Sequence, residues 1–157
     1  MITTEEIKAL REQTGLSIMQ CKAALEEAGG LNLTGSDLME KAVSLLKAKG
    51  AEIASKKGNR TLGAGAVVSY IHSGDTVGVL LELYSETDFV AKNPEFRAVA
   101  KEIAMHIAAM KPETTEELLA QAFIKDPSKT IADIINGTVQ KFGERTEVGH
   151  FTRYSIN

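Results

Sequence analysis

Cysteine is all but missing from this 157-residue chain: Cys21 stands alone. A single cysteine excludes an internal disulfide and fits a reducing compartment. At position 21 it reads as a small residue on a helix face and not as a nucleophile. Positive charge is not in excess either, with 18 Lys and Arg against 21 Asp and Glu. A net charge of −3 and a pI near 5.7 leave no basic footprint for nucleic acid. No apolar run approaches bilayer-spanning length, so no membrane contact is expected. The acidic opening, Met1-Ile2-Thr3-Thr4-Glu5-Glu6, resembles neither a secretory signal nor a transit peptide, and a cytoplasmic location is expected. His72, His106 and His150 share no ligand spacing with one another or with Cys21. No serine sits in a nucleophile elbow. Gly63-Ala64-Gly65 precedes a strand instead of following one, which rules out a phosphate loop. No metal, no cofactor and no covalent catalysis are therefore expected.

What is present is a helical head followed by a mixed segment. Thr3 and Glu6 have capping-box spacing, Ile2 can staple onto Ile7, and Gly15 stops the first helix. Ser17 and Gln20 repeat the device for a second helix, which ends at Gly29-Gly30. A third starts near Ser36 and ends at Gly50, with Leu38, Ala42, Val43, Leu45 and Leu46 on its apolar face. Residues 1–50 thus read as one domain. Residues 51–63, with Lys56, Lys57 and Arg60, read as a solvated basic linker, and residues 64–157 as a second domain. Ala66 to His72 and Thr76 to Tyr84 predict a β-hairpin with His72 at its tip. Pro94 to Met110 carries an apolar stripe of Phe96, Val99, Ala100, Ile103, Ile107 and Met110, with His106 at its edge. After Pro112, a short helix capped by Thr114 carries Leu118, Leu119, Ala122 and Phe123. Another follows from about Thr130 to Phe142. Glu147 to Ile156 alternates and should join the hairpin in an antiparallel sheet, with helices on one face. The class is α+β.

One stretch organises the rest: Glu86-Thr87-Asp88-Phe89-Val90-Ala91-Lys92-Asn93-Pro94-Glu95-Phe96. It bridges a buried strand and the long helix, and Asn93-Pro94 is the helix start. Ser85 and Asp88 have capping-box spacing, which predicts a helical turn from Thr87 to Lys92. Phe89 then sits at a corner. Either it plugs the strand–helix junction, or it is an exposed aromatic beside a carboxylate, held out as a wedge for a partner's pocket.

Thr87-Asp88-Phe89-Val90-Ala91-Lys92-Asn93 resembles the signature of the elongation factor Ts family, the nucleotide-exchange factors of elongation factor Tu. A second match lies in Leu10-Arg11-Glu12-Gln13-Thr14-Gly15, then Met19, Cys21-Lys22 and Ala24-Leu25-Glu26. The resemblance implies an N-terminal three-helix module like a ubiquitin-associated domain, then a small antiparallel sheet packed with helices, the family's dimerisation-type core. The loop Leu31 to Asp37 is longer than the family usually has there.

The resemblance further implies that Thr87, Asp88, Phe89 and Val90 push into the GTP-binding domain of elongation factor Tu and disturb its magnesium and phosphate site. Arg11, Ile18, Met19 and Lys22 of the head would dock on that domain, and His72 of the hairpin would add a contact. Many family members carry the core twice; this chain carries one copy, with His72 and the run Ile103-Ala104-Met105-His106-Ile107-Ala108 merged beside Asp88 and Phe89. A homodimer is therefore expected. The alternative is a docking adaptor for a translation protein, with no effect on nucleotide release.

Overall fold

The computed structural model describes residues 1–156. Every helix start but that of the third helix is fixed by a short side chain that satisfies otherwise unpaired first-turn N–H groups. Thr3 and Glu6 form a reciprocal capping box at α1 (Thr4–Thr14), which stops at left-handed Gly15. Ser17 and Gln20 do the same for α2 (Ile18–Gly29). These helices close with α3 (Gly35–Lys56) around Leu10, Leu16, Cys21, Leu25, Leu38, Ala42 and Leu46, against which Ile2 and Ile7 pack.

The expected helix end at Gly50 is corrected. α3 runs 22 residues, through Gly50 and into the stretch expected to be linker. Gly50 is buried, and it marks a close approach of two helices rather than a stop. The irregular connector before the sheet is therefore shorter than the expected 51–63.

The sheet has three antiparallel strands in the order β1 (Ala64–Ile71), β2 (Val77–Ser85), β5 (Glu147–Ser155), so the C-terminal strand lies on an edge beside the hairpin. Between β2 and β5 come α4 (Asp88–Ala91), α5 (Pro94–Met110) and α6 (Thr115–Ala120). A two-stranded ribbon of β3 (Ala122–Phe123) and β4 (Asp126–Thr130) follows, then α7 (Ile131–Phe142). Ala122 and Phe123 were expected on a helix. Instead α6 ends after Ala120, and the chain folds back on itself so that Phe123 packs into the core near the His106 ring. One face of the sheet, through Val68, Val79, Leu81 and Leu83, is covered by Phe96, Ala100, Ile103, Ala104 and Ile107 of α5. The class is α+β, as expected.

The other face carries exposed Val67 and Ile71 on β1, Leu80 on β2 and Tyr154 on β5. Ile71, Gly78 and Tyr154 form one cross-strand row, and Ser69, Leu80 and Thr152 the next. α3 packs against α7. The Lys47–Asp133 ion pair at 3.0 Å joins the two helices at one point, and Gly50 lets them close at another.

Candidate partner-docking site

β2 delivers the chain into Ser85, which is fully buried and donates its hydroxyl to the Thr87 carbonyl at 3.1 Å. Ser85 was expected to cap the turn. Thr87 does so instead, its Oγ1 accepting the Val90 N–H at 3.4 Å, while Ser85 braces the cap from within. The turn is short. Ala91 donates to the Thr87 carbonyl at 3.1 Å and Lys92 to that of Asp88 at 2.9 Å. Asn93 then caps α5, with Pro94 in the first turn.

Four residues of helix put two side chains inward and two outward. Val90 and Ala91 are the inward pair and belong to the buried core. Val90, expected among the contact residues, therefore supports the turn from inside and offers no surface. Asp88 and Phe89 are the outward pair. Phe89 is 83% exposed, which removes the junction-plug alternative. The Asp88 carboxylate is exposed as well and takes no hydrogen bond or ion pair among the described residues. An uncovered aromatic thus stands beside an unpaired carboxylate on a short turn held between two rigid elements.

Residues that sequence reasoning missed hold this turn from below. The Glu144 carboxylate accepts the Thr87 backbone N–H at 3.0 Å and the Thr87 hydroxyl at 2.7 Å. The neighbouring pair runs the other way: the Glu86 carboxylate accepts the Arg145 backbone N–H at 2.7 Å. Arg145 also reaches the Arg60 carbonyl, and Arg60 stands 3.5 Å from Glu86. These contacts span 57 and 59 positions of sequence, and no periodicity or spacing marks them.

Elsewhere, Ile18 and Met19 open α2 with 54% and 73% of their surface exposed. Lys22, one turn on, shares their side of the helix. It is exposed and pairs weakly with Glu26 at 3.7 Å, and exposed Arg11 lies in the last turn of α1. His72 is exposed beyond β1, its Nδ1 2.9 Å from the Tyr70 hydroxyl. It lies at the far end of the hairpin from Asp88 and Phe89. Eight residue steps along β2 separate the two ends by roughly 27 Å, so the fold does not bring them into one patch.

The chain matches the family model described as "Elongation factor TS" twice, over residues 3–117 and again over residues 86–157. The Thr87–Asn93 turn and α5 fall in both matches. Among curated relatives, the elongation factor Ts of Desulforamulus reducens is 38% identical over 200 aligned positions, covering 99% of this chain and 89% of the relative. That of Thermotoga petrophila is also 38% identical, covering 99% and 96%. That of Leptospira biflexa is 36% identical, covering 99% and 98%. The alignment of 200 positions with the Desulforamulus reducens relative, against 157 residues, leaves at least 43 of its positions with no counterpart here.

Proposed function

The chain belongs to the elongation factor Ts family, a family of translation elongation factors, and on that premise we propose that it binds elongation factor Tu and drives release of its guanine nucleotide. The observation that carries the reading is the outward pair Asp88–Phe89 on a fixed turn. Inserted beside a bound nucleotide, the ring displaces side chains and the carboxylate competes with the phosphates for magnesium. No bond is made or broken.

The size of the task shows what the wedge does and what it leaves to other contacts. A nucleotide held at nanomolar affinity with ordinary on-rates leaves at about 10⁻³ per second. Raising that to roughly 10² per second lowers the barrier by about 7 kcal/mol. Burying one Phe yields only about 1.5–3 kcal/mol. The remainder comes from the rest of the interface, in which Ile18 and Met19, flanked by Arg11 and Lys22, form a second docking patch and His72 a third. Such a factor must hold the nucleotide-free partner more tightly than the loaded one. By reciprocity, nucleotide and magnesium then expel it, and it recycles.

The working form is a homodimer. Two observations support this: the apolar outer face of the sheet, with Val67, Ile71, Leu80 and Tyr154 uncovered, and the free edge of β5. A second protomer covers that face and supplies the His72 contact that lies too far from Asp88–Phe89 within one chain.

The test is the rate at which a fluorescent guanine nucleotide leaves elongation factor Tu with and without this protein. Acceleration at substoichiometric protein supports exchange. Tight binding with no acceleration favours a docking adaptor.

A further inference from the structure

The geometry points to Glu144 as the positioning residue of the Asp88–Phe89 wedge. The inference rests on the exchange reading and extends it to a residue far away in sequence.

All three polar groups of Thr87 are tied down. Its N–H goes to one Glu144 oxygen at 3.0 Å and its hydroxyl to the other at 2.7 Å. Its carbonyl accepts from the Ser85 hydroxyl at 3.1 Å and from the Ala91 N–H at 3.1 Å. Because the Thr87 hydroxyl donates to Glu144, its lone pairs are free to take the Val90 N–H. Glu144 thus sets the cap that starts the turn, and it does so with an ionised acceptor, the stronger kind.

The arrangement is reciprocal. Glu144 takes the backbone N–H of the residue after Glu86, and Glu86 takes the backbone N–H of the residue after Glu144. Two antiparallel segments, one leading into the wedge and one leading from α7 into β5, are thereby locked in a single register. Arg145 carries the lock further, donating to the Arg60 carbonyl in the connector that follows α3. The wedge itself contributes nothing to this network: Asp88 and Phe89 remain free for the partner. A positioned group displaced by an ångström loses much of its effect, so the lock matters to rate more than to affinity.

The experiment measures nucleotide release from elongation factor Tu across a range of protein concentrations, with amide hydrogen exchange on the free protein alongside. Glu144→Ala should lower the saturating release rate by about tenfold with little change in half-saturating concentration. Glu144→Gln keeps one acceptor oxygen, for the Thr87 N–H, but turns the other into a donor, and should give a rate between those of Glu144→Ala and wild type. In Glu144→Ala the hydrogen-bonded amides of Thr87, Val90 and Ala91 should exchange at least about tenfold faster, with those of α5 unchanged. A saturating rate equal to wild type overturns the inference. So does a shift in half-saturation alone, which would make Glu144 a partner contact. Wild-type protein that fails to accelerate release defeats the exchange reading instead. The amide exchange, which needs no partner, then still decides whether Glu144 holds the turn.

Discussion

Gly50 of α3 faces Gln140 of α7 so closely that a β-carbon on the glycine would lie 2.7 Å from Gln140 Oε1 and 3.5 Å from the Asn136 carbonyl. Gln140 is itself buried, so the helices meet here with no slack. Gly50→Ala gains helix propensity of about 1 kcal/mol while displacing one amide, and should change stability little. Gly50→Leu has no such compensation. It should separate the helices at a cost of about 2 kcal/mol, lowering the melting temperature by roughly 4–8 °C in a chain of this length. Calorimetry of both variants checks this; a Leu variant as stable as wild type would show that the contact is loose.

His106 predicts a pH dependence. It is fully buried, with Nε2 2.9 Å from Gln121 Oε1, while Nδ1 accepts the Ile124 N–H at 3.4 Å. Burial pushes its pKa below the ordinary 6.5, and the Gln121 hydrogen bond opposes that only in part. The native state therefore resists a proton that the unfolded chain takes up. Stability should fall as pH drops below 6.5, by at most about 1.4 kcal/mol per pH unit for one such group. Glu95, held low by Lys141, and Glu6, held low by the Thr3 backbone N–H, give up their contributions only below about 4.5. Urea unfolding at pH 7.5 and 5.5 should show the loss in wild type and a smaller one in His106→Asn. Equal losses would mean the proton goes elsewhere.

Leu80 tests the dimer. It stands exposed in the middle of the uncovered sheet face, away from the core side of β2. Leu80→Glu should leave the fold intact and place an unpaired charge on the face proposed to meet the second protomer. Light scattering at micromolar concentration should give twice the 16.9 kDa chain mass for wild type and one chain mass for the variant. A wild-type mass of one chain, with exchange activity retained, contradicts the dimer.

Much of this architecture is local, and so legible in sequence. Thr3 with Glu6, Ser17 with Gln20, and Asn93 before Pro94 are caps whose partners lie two or three residues away. Strand alternation put β1, β2 and β5 in one sheet. The misreadings arose where a distant contact decides. Gly50 reads as a helix stop because its reason to be glycine sits on α7. Ser85 and Thr87 compete for one cap, and burial of Ser85 settles it. Ala122 and Phe123 continue a helical pattern until the chain folds back for Phe123 to pack. Phe89 could face either way by pattern alone; Val90 and Ala91 take the inward positions and leave it outside. Glu144 gave no signal, since its role exists only through a residue 57 positions away.

The central claim is that Phe89 works from outside the fold, and one comparison tests it most directly. Stopped-flow release of a fluorescent guanine nucleotide from elongation factor Tu should be accelerated by wild type. Phe89→Ala should cut the saturating rate by at least about tenfold with an unchanged melting temperature, since an 83%-exposed ring supports no core. Asp88→Ala should reduce it less, by the one or two hydrogen bonds a partly exposed carboxylate can make. Phe89→Ala exchanging nucleotide as fast as wild type would contradict the account.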